Sequence, residues 1–159
     1  MMNHNEKKVP IKSGVPDHED VNIVLRLYEL RRETVMRQAR DHINLQFMPE
    51  TWEEFAKILD INNPTNAYFR QVATYWEMAA TFVNMGALHE ELFWNTNGEA
   101  IFFYSKIQPF LERIRKEIYG PQYLLQLESL VQRRPDGADR VKMTQERIHK
   151  LAEMKKGSR

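Results

Sequence analysis

The sequence predicts an all-α fold, an antiparallel helical bundle of about five to seven helices. Three observations carry that expectation. Apolar residues recur at steps of three and four through most of the chain. No segment shows the two-residue alternation of a half-buried strand. Gly, Pro and Asn cluster between the periodic stretches. The 159 residues are enough for one core without disulfide or metal staples.

Residues 1–16 are polar, with Pro10, Gly14 and Pro16, and read as a flexible N-terminal arm. Residues 17–133 read as the bundle and 134–159 as a basic C-terminal helix or tail. Asp17 in "PDHED" supplies a cap for the first helix, with Glu19 and Asp20 at the positive end of its dipole. Val21, Val24, Leu25, Tyr28, Val35, Met36, Ala39 and Ile43 then mark one face of a long helix, with Arg32 on that same face. "MPETWEEFAKILD" is a short helix with Pro49 at an early position and Trp52, Phe55, Ile58 and Leu59 inward. "INNPTN" breaks it, and the next helix runs from Thr65 or Asn66 to Met85, where Gly86 stops it. "LHEELFWN" is a short helix or turn. The stretch from Glu99 to Tyr119 is helical, and Pro109 predicts a kink, or two helices meeting near Gln108. Two further helices flank the "RPDG" turn, the last with a thin apolar seam.

The absence of cysteine excludes disulfides, thiolate metal sites and cysteine nucleophiles, and fits a reducing cytoplasm. No stretch reaches the roughly 20 apolar residues of a membrane span, and the N-terminus lacks a signal-peptide pattern. A soluble, cytoplasmic protein is therefore expected. Charge is uneven. From Arg133 to Arg159 there are nine Lys and Arg against four Asp and Glu, a net of +5. The other 132 residues carry 14 basic against 18 acidic side chains, a net of −4.

The helix from Asn66 raises the sharpest question, because an oily segment carries opposite charges two turns apart. At 100° per residue, Arg70, Thr74, Glu77, Thr81 and Asn84 share an arc within about 40° of Arg70. Three readings of this stripe stay open. It is a solvent-facing rim; or a buried structural network in which Glu77 pairs with Arg70 or Arg32; or a ligand site in which Arg70 and Thr74 hold an anion. His89, Glu90 and Glu91 in "LHEELFW" are weaker candidates, for a metal ligand or general base, against a helix start whose carboxylates complement the dipole. His42 reads in the same way.

Phosphate loops, dinucleotide fingerprints, Gly-x-Ser-x-Gly elbows and His-Glu-x-x-His motifs are absent from the sequence. A di-iron bundle needs two Glu-x-x-His motifs, and only Glu146 with His149 fits. No metal or cofactor is expected. The 17 aromatics concentrate between Trp52 and Phe110 at core-facing positions, which favours packing over base stacking. Nucleic acid is thus not the expected partner, although the basic tail keeps that alternative open.

"YFRQVATYWEMAATFVNMGALHEELFW", followed by "IFFYSKIQPFLERIR", resembles an uncharacterised bacterial family of helical domains. The matching features are Val83, Gly86 and Ala87 in a "V-x-x-G-A/L" turn; then Glu90, Glu91, Leu92 and Phe93; then Tyr104 with Pro109 and Phe110. The resemblance implies an all-helical fold, no assigned chemistry, and shared backbone features at Gly86 and Pro109. Many similar proteins have an N-terminal membrane helix, which this sequence lacks. The expected function is a non-enzymatic protein-interaction or regulatory module, with a protein partner or self-association. The C-terminal helix is expected to pack on a partner or another protomer. The alternative is a small-ligand-binding or enzymatic bundle with an aromatic pocket near Arg32, Arg70, Glu77 and His89.

Overall fold

Asp17 closes the start of α1 (His18–Arg32) in the computed structural model, which describes residues 11–158. Residues 1–10, with His4 and most of the expected arm, lie outside the described residues, as does Arg159. Asp17 Oδ1 accepts from the Asp20 amide at 3.0 Å, and the Asp20 carboxylate accepts from the Asp17 amide at 2.8 Å.

The single helical face from Val21 to Ile43 is not what forms. At Glu33 the backbone turns extended (φ −56°, ψ 141°), and its carboxylate caps the Met36 amide at 2.9 Å to start α2 (Thr34–Asp41). The break resets the helical phase. α1 buries Leu27 and Asp20, and α2 buries Met36 and Ala39. Val21, Leu25, Tyr28 and Val35 remain between 44% and 52% exposed. Glutamate is a weaker capping signal than Ser, Thr, Asp or Asn, so the periodicity reads straight through it.

α2 winds into a π turn, His42–Gln46, ahead of the extended Phe47. Thr51 caps α3 (Trp52–Leu59) by accepting from the Glu54 amide at 3.2 Å, and Pro49 stands ahead of the helix instead of inside it. α4 (Asn66–Asn84) ends where Gly86 takes φ 73°, a left-handed turn that brings the Ala87 and Leu88 amides back onto the Phe82 carbonyl. α5 (Glu90–Thr96) and α6 (Glu99–Ile107) follow. At Pro109 the rod passes through a 3₁₀ turn, Gln108–Phe110, into α7 (Leu111–Ile114) and a π turn, Arg115–Tyr119. The missing amide and the ring of proline force this irregularity where the sequence predicts it. α8 (Leu125–Arg133) and α9 (Gly137–Gly157) complete the chain.

Every regular element among the described residues is helical, so the fold is all-α. None of the helices among the described residues is long and apolar enough to cross a membrane. α4 lies centrally, with α2 and α8 as its main neighbours. Its Phe69, Val72, Trp76, Ala79 and Val83 are buried. Phe69 meets Phe55 edge-on at 5.7 Å and Phe103 at 6.2 Å. The aromatics thus build the interior.

α9 does not stand apart for a partner. It lies along α6, burying Ile148 and Ala152. Its basic end is engaged as well: Lys155 donates to the Leu45 carbonyl, and Lys156 pairs with Glu50.

Candidate functional site

Glu77 answers the question its helix raises. Both of its carboxylate oxygens accept backbone amides at the start of α8, from Gln126 and from Leu127, each at 2.9 Å. These are donors that a helix cannot satisfy within itself. The residue in the capping position of α8 is Leu124, which has no side-chain acceptor and adopts a left-handed conformation with φ 54°. Glu77 therefore caps α8 from a different helix and places negative charge at the positive end of its dipole.

The stripe continues as connections between helices. The Asn84 amide donates to the Gln126 carbonyl at 2.9 Å, and Asn84 Oδ1 accepts from Arg133 at 2.8 Å. Arg133 also holds Glu90 at 2.9 Å, which joins α4, α8 and α5. The Thr81 hydroxyl donates to the Glu77 carbonyl at 2.7 Å.

Arg70 and Arg32 belong to neither network. Arg70 is exposed and donates to Asn66 Oδ1 at 2.9 Å, while the buried Asn66 amide donates to the Ile58 carbonyl at 2.8 Å, where α3 ends. Arg32 lies on the outside of α1, its guanidinium 5.4 Å from the Tyr28 ring centroid. The structure does not bring Arg32, Arg70 and Glu77 together. Arg70 and Thr74 instead border an open cleft of about 410 Å³, with Gln71, Tyr119 and Tyr123 on its other sides. The Thr74 hydroxyl donates to the Arg70 carbonyl at 2.8 Å.

His89 is the capping residue of α5 and is buried. Its Nδ1 accepts from the Leu92 amide at 3.4 Å, and its Nε2 lies 2.7 Å from the Gly14 carbonyl oxygen. With Nδ1 as acceptor, the other ring nitrogen donates to the Gly14 carbonyl. Its backbone amide donates to Asp20 at 2.9 Å. Asp20, fully buried, also takes the Asp17 amide and the Lys12 ammonium, the latter at 3.0 Å. Burial alone would push the Asp20 carboxyl up, but these donors hold it below the usual carboxylate range. Residues 12–20 are thereby tied to the start of α5. Glu91 is exposed. Among the described residues no group of three His, Cys, Asp or Glu is placed to hold a metal. His42 opens the π turn, 5.8 Å from Tyr68, and burial lowers its pKa.

The sequence reading missed Lys106. It is 3% exposed, and its ammonium donates to the Ile43 carbonyl at 2.5 Å and lies 4.7 Å from the Phe102 ring centroid. Burial pushes its pKa down to about 7, with the charge of Lys155 adding to the effect. A signal was available: at 100° per residue Lys106 falls about 60° from Phe103, between it and Phe102, on the apolar arc of α6.

α1 also has an exposed apolar side. Val21, Leu25 and Tyr28, at steps of four and three, form an apolar stripe that stays about half exposed among the described residues. Other large apolar residues are exposed as well, among them Leu30, Val35, Ile61 and Met143.

Neither the curated proteins nor the solved structures compared with the chain gave a match. Residues 16–134, from the N-terminal cap through α8, match the family model described as "Domain of unknown function (DUF4760)", and the chain belongs to that family.

Proposed function

We propose that this protein is a non-enzymatic protein-interaction module whose docking face is the exposed side of α1. The observation that carries the reading is the Val21, Leu25 and Tyr28 stripe, an apolar helix face, 44–52% exposed, that no described element covers fully. The polar side chains that the sequence singled out support it from the other side. Glu77, Asn84, Glu90 and His89 are engaged in capping and joining helices, which leaves little of them for chemistry.

The test is a photo-reactive residue at position 25, with the same residue at position 143 as control, since Met143 is 69% exposed and belongs to α9. Irradiation of cells producing each variant is expected to give a discrete protein adduct from position 25 and none from 143. No adduct from position 25 would overturn the reading.

The cleft beside Arg70 favours a second reading, binding of a small anion that carries a flat ring. Its guanidinium supplies charge, and Tyr119 and Tyr123, stacked at 4.6 Å, supply aromatic surface. Aromatic carboxylates and nucleoside monophosphates at millimolar concentration should then show saturation transfer that Arg70→Ala abolishes. Signals equal in the two proteins, or absent from both, would exclude it.

A further inference from the structure

We infer that the partner of the α1 face is a second copy of this chain, packed antiparallel along α1; this rests on the docking face proposed above. The order of residues along the stripe gives it a direction. At 100° per residue, Val21, Leu25, Tyr28 and Arg32 fall within an arc of about 60°. Leu27 and Asp20, which face the body, lie roughly 120° from the centre of that arc. The stripe begins at the capping carboxylate of Asp17, whose side chain is 56% exposed, and ends at the exposed Arg32. It is therefore acidic at one end, apolar in the middle and basic at the other.

Such a face complements itself in one direction only. In a parallel pair, like charges would meet at both ends. In an antiparallel pair, one register satisfies every position at once: when Asp17 stands opposite the second copy's Arg32, Val21 stands opposite Tyr28, and Leu25 lies beside the twofold axis. A bulky ring then faces a smaller aliphatic residue on each side of the axis, and the end charges close the seam. Asp17 retains its own bonds, one oxygen to the Asp20 amide and the other to Lys12, and the second of these faces solvent. A single helix pair is a small interface, so the dimer is weak and transient.

The chain contains no cysteine, so introduced thiols report the geometry directly. Sedimentation equilibrium of the whole chain from 5 to about 500 µM should show its mass rising from 19.0 kDa toward twice that value. Leu25→Glu should hold it monomeric, and Arg32→Glu should weaken the dimer about tenfold, both with unchanged helical circular dichroism. Leu25→Cys should cross-link to itself under mild oxidation. Val21→Cys and Tyr28→Cys should each fail alone and cross-link when mixed, because each thiol is about 10 Å along the axis from its own symmetry mate. Val21→Cys cross-linking to itself would overturn the antiparallel register. A mass fixed at the monomer would overturn the second copy as partner. In that case an adduct of another size from position 25 would leave the docking face standing, and its absence would remove both.

Discussion

Glu77→Ala is expected to lower the unfolding free energy by about 2–3 kcal/mol, the combined effect of two charge-assisted bonds to partly buried amides and a favourable place at a helix dipole. The cost is high because α8 has no substitute: Leu124 at its capping position offers no oxygen and is itself held at a left-handed φ of 54°. Glu77→Gln keeps one acceptor and turns an N–H toward the other amide, so about half the loss is expected. Arg70→Met should cost no more than about 0.5 kcal/mol, because among the described residues the exposed guanidinium bonds only to Asn66 on its own helix. The double mutant should be additive within about 0.5 kcal/mol, since the two side chains share no partner. Urea unfolding measures all four. Amide exchange locates the effect, with Gln126 and Leu127 losing protection in Glu77→Ala before the rest of α8. Protection unchanged at those two amides would show that α8 does not depend on this cap.

The contrast between Arg70 and Glu77 shows what periodicity conveys and what it omits. Both residues belong to one stripe on one helix, and the arc at 100° per residue placed them together with Thr74, Thr81 and Asn84. Which of them faces another helix depends on where α8 lies, and no local pattern encodes that. The stripe's upper half, from Glu77 to Asn84, lies under α8; its lower half borders an open cleft. The fold class, the stop at Gly86 and the break near Pro109 were legible because each follows from a local rule of backbone chemistry. Glu33 was not, because a glutamate cap inside a run of good helix formers leaves the apolar period intact while the backbone breaks. That one break is what turns Val21, Leu25 and Tyr28 outward, so the candidate docking face was hidden by the same signal that made α1 easy to find. His89 was recognisable as a helix start, but its tie to Asp20 and Gly14 spans 69 and 75 positions of sequence.

Lys106 should make stability depend on pH in a window where few other groups of the chain do. Its pKa in the folded protein is about 7 and its ordinary value is 10.5. Between those values the unfolded chain holds a proton that the folded chain lacks, so unfolding takes up a proton and stability rises with pH. Below pH 7 the ammonium is charged in both states and the cost of burying it is borne in full; above the ordinary value it is neutral in both. From pH 7 to 9 wild-type stability should therefore climb by about 2 kcal/mol, at a slope near 1.36 kcal/mol per unit. His42, lowered by burial and by the nearby charges of Lys106 and Lys155, titrates below this window. Tyr75 and Tyr104, pushed up to about 12, become linked to folding only above it. Lys106→Met removes the proton and should flatten the profile, although it leaves the Ile43 carbonyl without its donor, which costs about 1–3 kcal/mol at every pH. Urea unfolding at half-unit steps from pH 7 to 9 separates the two effects, because the lost bond shifts the whole curve and the lost titration changes its slope. If the two proteins showed the same slope, the bonds to the Ile43 and Asn44 carbonyls and the ring of Phe102 would be holding the ammonium charged against its burial.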